Sequence, residues 1–180
     1  MKKHELENTI ESGNKAYQKG DYPSAANYFE KAWAFYSSSG DVINAAEMAN
    51  NLSVARLKMK DGEGALTAAL GTEKVFQEIQ DIRREAIALG NQAAALEFLG
   101  ESERALELYE KCSVLLKETD EKELRAYVLS GISAIQLKTG KQFQAMASMD
   151  AALENKNKLS LKEKFLQKLL KVPFRMINKK

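Results

Sequence analysis

TIESGNKAYQKGDYPSAANYFEKA, residues 9–32, has three counterparts farther along the chain, each reached by a step of 40 residues. They are ANNLSVARLKMKDGEGALTAALGT (49–72), LGNQAAALEFLGESERALELYEKC (89–112) and LSGISAIQLKTGKQFQAMASMDAA (129–152), and all four align without a gap. A supersecondary unit that recurs at a fixed period cannot bury its apolar face alone, so its copies stack.

The columns of this alignment carry physical meaning. Ala25, Ala65, Ala105 and Ala145 share one position, where a small side chain lets two helices approach closely. Seven residues on, Ala32, Thr72, Cys112 and Ala152 stay small, two turns along the same face. Gly13, Ser53, Ala93 and Ser133 form a matching small column on the preceding segment. Gly20, Gly100 and Gly140 stand where that segment ends, as C-terminal glycines do; in the second unit Lys60 takes the place and Gly62 follows.

Each unit therefore predicts two antiparallel helices, near 3–19 and 22–38, 42–59 and 63–79, 82–99 and 102–118, and 121–139 and 142–156. Asp41 and Asp81 supply N-caps, and Asp120 with Glu123 makes a D-x-x-E capping pattern. Pro23 falls in a first helical turn, where proline is tolerated. A last helix begins at the S-x-x-E box of Ser160 and Glu163. Its stripe of Leu161, Phe165, Leu166, Leu169 and Leu170 is expected to cover the open core of the final repeat, and Val172-Pro173 to end it. The expected organisation is one domain over 1–180, with repeats near 3–40, 41–80, 81–120 and 121–157 and a capping helix and basic tail over 158–180.

Composition agrees with a helical globular chain. Of 180 residues 44% are apolar and 29% charged, which excludes intrinsic disorder. Only two prolines occur, and none between Pro23 and Pro173, which favours long helices. The single cysteine, Cys112, permits no intrachain disulfide, and the N-terminal MKKHELENT has no apolar stretch behind its lysines. No apolar run approaches the roughly 20 residues of a membrane helix. The expected location is cytoplasmic. Charge is uneven: residues 155–180 hold eight lysines and Arg175 against the single acid Glu163, a net of +8, which leaves −6 for the remainder of a chain whose total is +2.

Residues 13–32 resemble the tetratricopeptide repeat, including Ala25 followed four residues later by Phe29; Ala105 and Tyr109 repeat that relation. The resemblance covers about residues 5–156. It is closest in units one and three and faintest in unit two. The period is 40 rather than about 34 residues, no repeat ends in the usual proline, and the motif's tryptophan is missing from all four. Residues 88–112 look more like the long-helix variants found in cell-polarity adaptors and bacterial peptide-sensing regulators. The resemblance implies an all-α, right-handed α-solenoid of four helix-turn-helix repeats with a C-terminal cap. It also implies a concave groove lined by the first helix of each repeat.

On that reading the peptide-binding groove holds Asn14, Tyr17, Asn50, Asn51, Val54, Leu57, Asn91, Phe98 and Tyr127. A carboxamide donates and accepts, so it can pair with the C=O and N–H of an extended peptide. Asn51 and Asn91 share a column and resemble the asparagine ladder of long-helix members. The plain alternative is that these asparagines cap local turns or hydrogen-bond between adjacent helices. Tyr17, Leu57, Phe98 and Tyr127 would provide apolar pockets or join the core. A clamp for chaperone C-termini is not expected, because Ile10, Ile87 and Asn91 stand where that clamp needs cations.

Catalysis, a metal and a cofactor are not expected. His4 has no nucleophile near it, Cys112 sits in a packing column, Glu101 and Glu103 look like solvated helix residues, and GESERAL, from Gly100, only joins two helices. The expected function is a scaffold or adaptor for a protein or peptide partner, with no small-molecule substrate. The alternatives are a homodimer, with Trp33, Phe35 and Tyr36 as an aromatic patch, or docking of the basic C-terminal helix to an acidic partner, nucleic acid or anionic membrane. A solvated face on a capping helix is preferred to that docking, so nucleic acid and membrane are not the expected partners.

Overall fold

The structure, a computed structural model, describes the backbone of residues 3–177 and the side chains of 4–171. Ten α-helices occur among these residues and no strand: α1 (Lys3–Gln18), α2 (Tyr22–Ser39), α3 (Val42–Lys58), α4 (Gly62–Ala69), α5 (Thr72–Glu78), α6 (Ile82–Phe98), α7 (Ser102–Leu115), α8 (Lys122–Lys138), α9 (Gln142–Asn155) and α10 (Leu161–Ile177). A 3-10 turn, Leu116–Glu118, follows α7.

The turns explain why the helices start where they do. Asp21, Asp41, Asp61 and Asp81 each accept, through the carboxylate, the N–H three residues on, at 3.2, 3.1, 2.9 and 2.9 Å. That satisfies one of the free donors of the new helix. The N–H of the same four residues returns to the carbonyls of Ala16, Tyr36, Arg56 and Phe76, closing the previous helix. One aspartate therefore ends one helix and begins the next. The closing bond requires a left-handed residue just before the aspartate. Gly40 provides it at φ 77°, whereas Lys60 and Gln80 adopt it at 65° and 57° despite their side chains. Gly62, instead of ending a helix, opens α4, where a Cβ would stand 2.6 Å from the Phe98 ring.

The chain divides into two compact units, Met1–Ala105 and Leu106–Lys180. In the first, Leu6, Phe29, Met48 and Leu52 form a core with Ala25, Ala26, Ala32 and Ala55. Phe76 packs with Ala46 and Ala88, and the Arg84 guanidinium lies over its ring at 5.1 Å. Hydrogen bonding from the Arg84 N–H holds the Asp81 carboxyl below its ordinary range, and the Arg84 side chain adds to this. In the second unit Tyr109, Leu116, Val128 and Ile135 are buried. There Ser133 donates to the Ala145 carbonyl at 2.7 Å, tying α8 to α9. Gly131 leaves room for Tyr109, whose ring would meet a Cβ at 3.2 Å.

Three expectations need correction. The helix expected over 63–79 is broken at Leu70 and Gly71, where Gly71 turns left-handed at φ 82°. The Ala69 carbonyl at the break accepts from Thr72 Oγ1 at 2.7 Å and from Gln92 Nε2 at 3.1 Å, so no acceptor is stranded. Second, Asp120 does not cap α8. The helix begins one residue too late for that spacing, the Thr119 hydroxyl accepts the Glu121 N–H at 3.3 Å, and Glu123 accepts from the Asn157 N–H instead.

The third concerns α10. Its capping box forms as expected: the Ser160 N–H and hydroxyl donate to Glu163, and the Glu163 N–H returns to Ser160 Oγ. Its apolar stripe, however, covers the protein only in part. Leu170 is buried, but Leu161 is 85% exposed, Phe165 65% and Leu169 50%. The helix also continues through Val172 and Pro173 to Ile177, although the proline removes an N–H donor.

Candidate functional site

The first unit carries a groove of about 260 Å³ lined by Asn14, Tyr17 and Gln18 of α1, Phe29 of α2, and Asn51 and Val54 of α3. Helical spacing explains the set. Positions 14, 17 and 18, and positions 51 and 54, lie three or four apart and share a face. Phe29 is buried and forms the floor. Gly13 lets α1 come close to it, since a Cβ there would stand 2.8 Å from the Phe29 ring. Tyr17 is held edge-on against Tyr22, with centroids 5.4 Å apart.

The two asparagines of this groove are chemically available. Neither Asn14 nor Asn51 commits its carboxamide to a hydrogen bond among the described residues. Asn14 is exposed and Asn51 half-buried, so each can meet a guest without leaving the protein surface. The groove thus offers two donor–acceptor amides beside an aromatic ring and an aliphatic wall.

Four of the nine residues expected in the groove converge here: Asn14, Tyr17, Asn51 and Val54. Leu57 is half-buried one turn beyond Val54 on α3. Asn50 is corrected: it is 5% exposed, and its Oδ1 accepts from Asn91 Nδ2 at 3.2 Å, with Thr72 Oγ1 at 3.3 Å. That is the inter-helix bonding named above as the plain alternative, and it also occupies Asn91. Phe98, half-exposed, rests against Gly62. Tyr127 lies in the second unit and is exposed on α8.

A second cavity of the first unit, about 620 Å³, was not foreseen from the sequence. Trp33 of α2, Val42 of α3 and Leu70 at the helix break line it and are themselves substantially exposed. Ala45, Ala46 and Ala49 supply the inner wall, where small side chains leave the volume open. The Arg56–Glu30 pair, 2.8 Å apart, closes the lining. The alanine run and the Gly71-Thr72 dipeptide are the signals that could have pointed to it.

No family model matches the chain, and no curated protein matches it in sequence. Solved structures do match. BtubC (BKLC) from P. vanneervenii superposes with a TM-score of 0.75 at 16% identity, over 87% of this chain and 69% of that one. The apo form of RapI gives 0.78 at 23% identity, over 97% of this chain and 65% of that one. The TPR2AB domain of yeast Sti1, in its complex with pHSP90, gives 0.52 at 14% identity, over 96% and 85%. This chain spans about two thirds of the length of the first two. Likeness at such identities establishes the fold, which is an all-α, tetratricopeptide-like helical-repeat solenoid.

Proposed function

We propose that this chain is a non-catalytic protein-interaction module that holds an extended peptide segment of its partner in the groove of the first unit. The observation that carries this reading is the meeting of Asn14 and Asn51, both with uncommitted carboxamides, beside Tyr17 and Val54 over the buried Phe29. An extended backbone presents alternating C=O and N–H groups, which paired amides can match. Its side chains alternate in direction, so one can enter the apolar part of the groove while the next points away. Sti1's domain in its complex with pHSP90 is an instance of this fold engaging a partner. Ile10 and Ile87 replace the cations of a carboxylate clamp, so an internal segment fits better than a free C-terminus.

The test is selection of binders from a displayed library of unstructured peptides, followed by affinity measurement on variants. The Asn14→Ala plus Asn51→Ala variant is expected to lose about 10- to 100-fold in affinity, two amide contacts' worth, at unchanged melting temperature. Unaltered affinity in a folded double variant would remove the reading.

A further inference from the structure

The apolar stripe of α10 is exposed and carries its own borders of charge. Leu161, Phe165 and Leu169 recur every four residues and lie along one line of the helix. Lys164 and Lys168 run along one side of that line, and Lys162 along the other. None of these three lysines has an ion-pair partner among the described residues. The opposite side of the helix is the one held by the protein. Leu170 is 7% exposed, Lys171 lies 3.4 Å from Glu154 of α9, and Lys156 lies 2.6 Å from Glu163. Glu163, the only acid of residues 155–180, is thereby turned to Lys156 and Ser160. The outward face of residues 161–171 presents leucine, phenylalanine and lysine with no negative charge.

We propose that α10 docks this protein on an anionic lipid surface, lying in the plane of the membrane with Leu161, Phe165 and Leu169 inserted. The lysine borders decide between lipid and protein as the occupant. Lysine is depleted from protein–protein interfaces, whereas basic residues flanking an apolar stripe suit helices that lie in the headgroup layer. Lysine stems extend along the apolar layer while their ammonium groups reach the phosphates. Among the described residues no helix is long and apolar enough to cross a membrane, so the contact is peripheral. The net charge of +8 over residues 155–180 adds long-range attraction that falls with salt. A solvated basic face leaves Leu161, Phe165 and Leu169 unaccounted for, since these apolar side chains are exposed as well.

The experiment is co-sedimentation of the full chain with phosphatidylcholine vesicles, with and without phosphatidylserine, at low and physiological salt. Binding is expected to the anionic vesicles only, and to weaken with salt. Lys164→Glu plus Lys168→Glu is expected to lower the affinity by at least about 20-fold, at roughly five-fold per lysine removed. Leu161→Ser plus Phe165→Ser is expected to lower it by a similar or larger factor. All four positions are exposed, so unchanged circular dichroism is expected for both variants. Equal binding to neutral and anionic vesicles, or wild-type binding by either folded variant, would overturn the proposal. So would sedimentation showing that Leu161→Ser plus Phe165→Ser turns a dimer into a monomer while vesicles are ignored, since the occupant is then a second copy.

Discussion

Asn91 donates its side-chain amide to the Oδ1 of Asn50 at 3.2 Å, although Asn91 stands one full repeat from Asn51, not from Asn50. The Thr72 hydroxyl lies 3.3 Å from the same oxygen, but its single proton is better directed at the Ala69 carbonyl at 2.7 Å. Asn91 is therefore the main donor to Asn50. Two adjacent asparagines of α3 consequently do different jobs: Asn50 bonds α3 to α6, and Asn51 faces the groove.

That division predicts different costs. Asn50→Ala leaves the Asn91 amide without its acceptor and should destabilise the protein by about 1–3 kcal/mol. Asn51→Ala breaks no internal hydrogen bond and should stay within about 0.5 kcal/mol of the parent. Urea denaturation followed by circular dichroism distinguishes them. Equal costs would mean that the two side chains share one environment.

Lys60 and Gln80 occupy the left-handed position that Gly20, Gly40, Gly100 and Gly140 fill elsewhere. The Cβ clash of a left-handed L-residue costs about 1–2 kcal/mol, and the greater chain freedom of glycine offsets about half of it. Lys60→Gly and Gln80→Gly are each expected to stabilise by about 0.5–1 kcal/mol, additively, because separate turns are involved. Thermal melts check this, and a lower melting temperature in either variant would contradict the turn geometry.

Glu163 responds to acid. Hydrogen bonding from Lys156, then from the N–H and hydroxyl of Ser160, lowers its pKa from 4.5 to about 2. A carboxylate whose pKa is depressed by folding favours the folded state above its unfolded value and stops doing so as pH falls through the folded one. The start of α10 should therefore loosen as pH drops from about 4.5 towards 2, and Glu163→Gln should abolish that dependence. Carbon-detected NMR titration of the carboxyl reports the midpoint directly, and a midpoint near 4.5 would show that the box does not form in solution.

Much of the fold was legible because packing constrains residue size. The columns Ala25/Ala65/Ala105/Ala145, Gly13/Ser53/Ala93/Ser133 and Ala32/Thr72/Cys112/Ala152 are buried throughout. Turns were legible because glycine and aspartate each have one good position there. The break at Gly71 was not, since Thr72 keeps its small column and the Ala69 carbonyl is satisfied partly by Gln92, a residue from another helix. The exchange of Asn50 for Asn51 has a similar origin. A repeat period identifies equivalent positions, but neighbouring residues differ by about 100° around a helix, and only packing sets the absolute rotation. The stripe of α10 showed an amphipathic helix without showing what, if anything, covers it.

The central claim is that a guest peptide lies against Asn14, Tyr17, Asn51 and Val54. Side-chain amide and methyl NMR of the labelled protein, titrated with a peptide selected for binding, tests it most directly. Shifts concentrated at the Asn14 and Asn51 carboxamides and the Val54 methyls are the predicted result. Shifts at Val42, Leu70 and the Trp33 indole instead, with the groove signals unmoved, would contradict it.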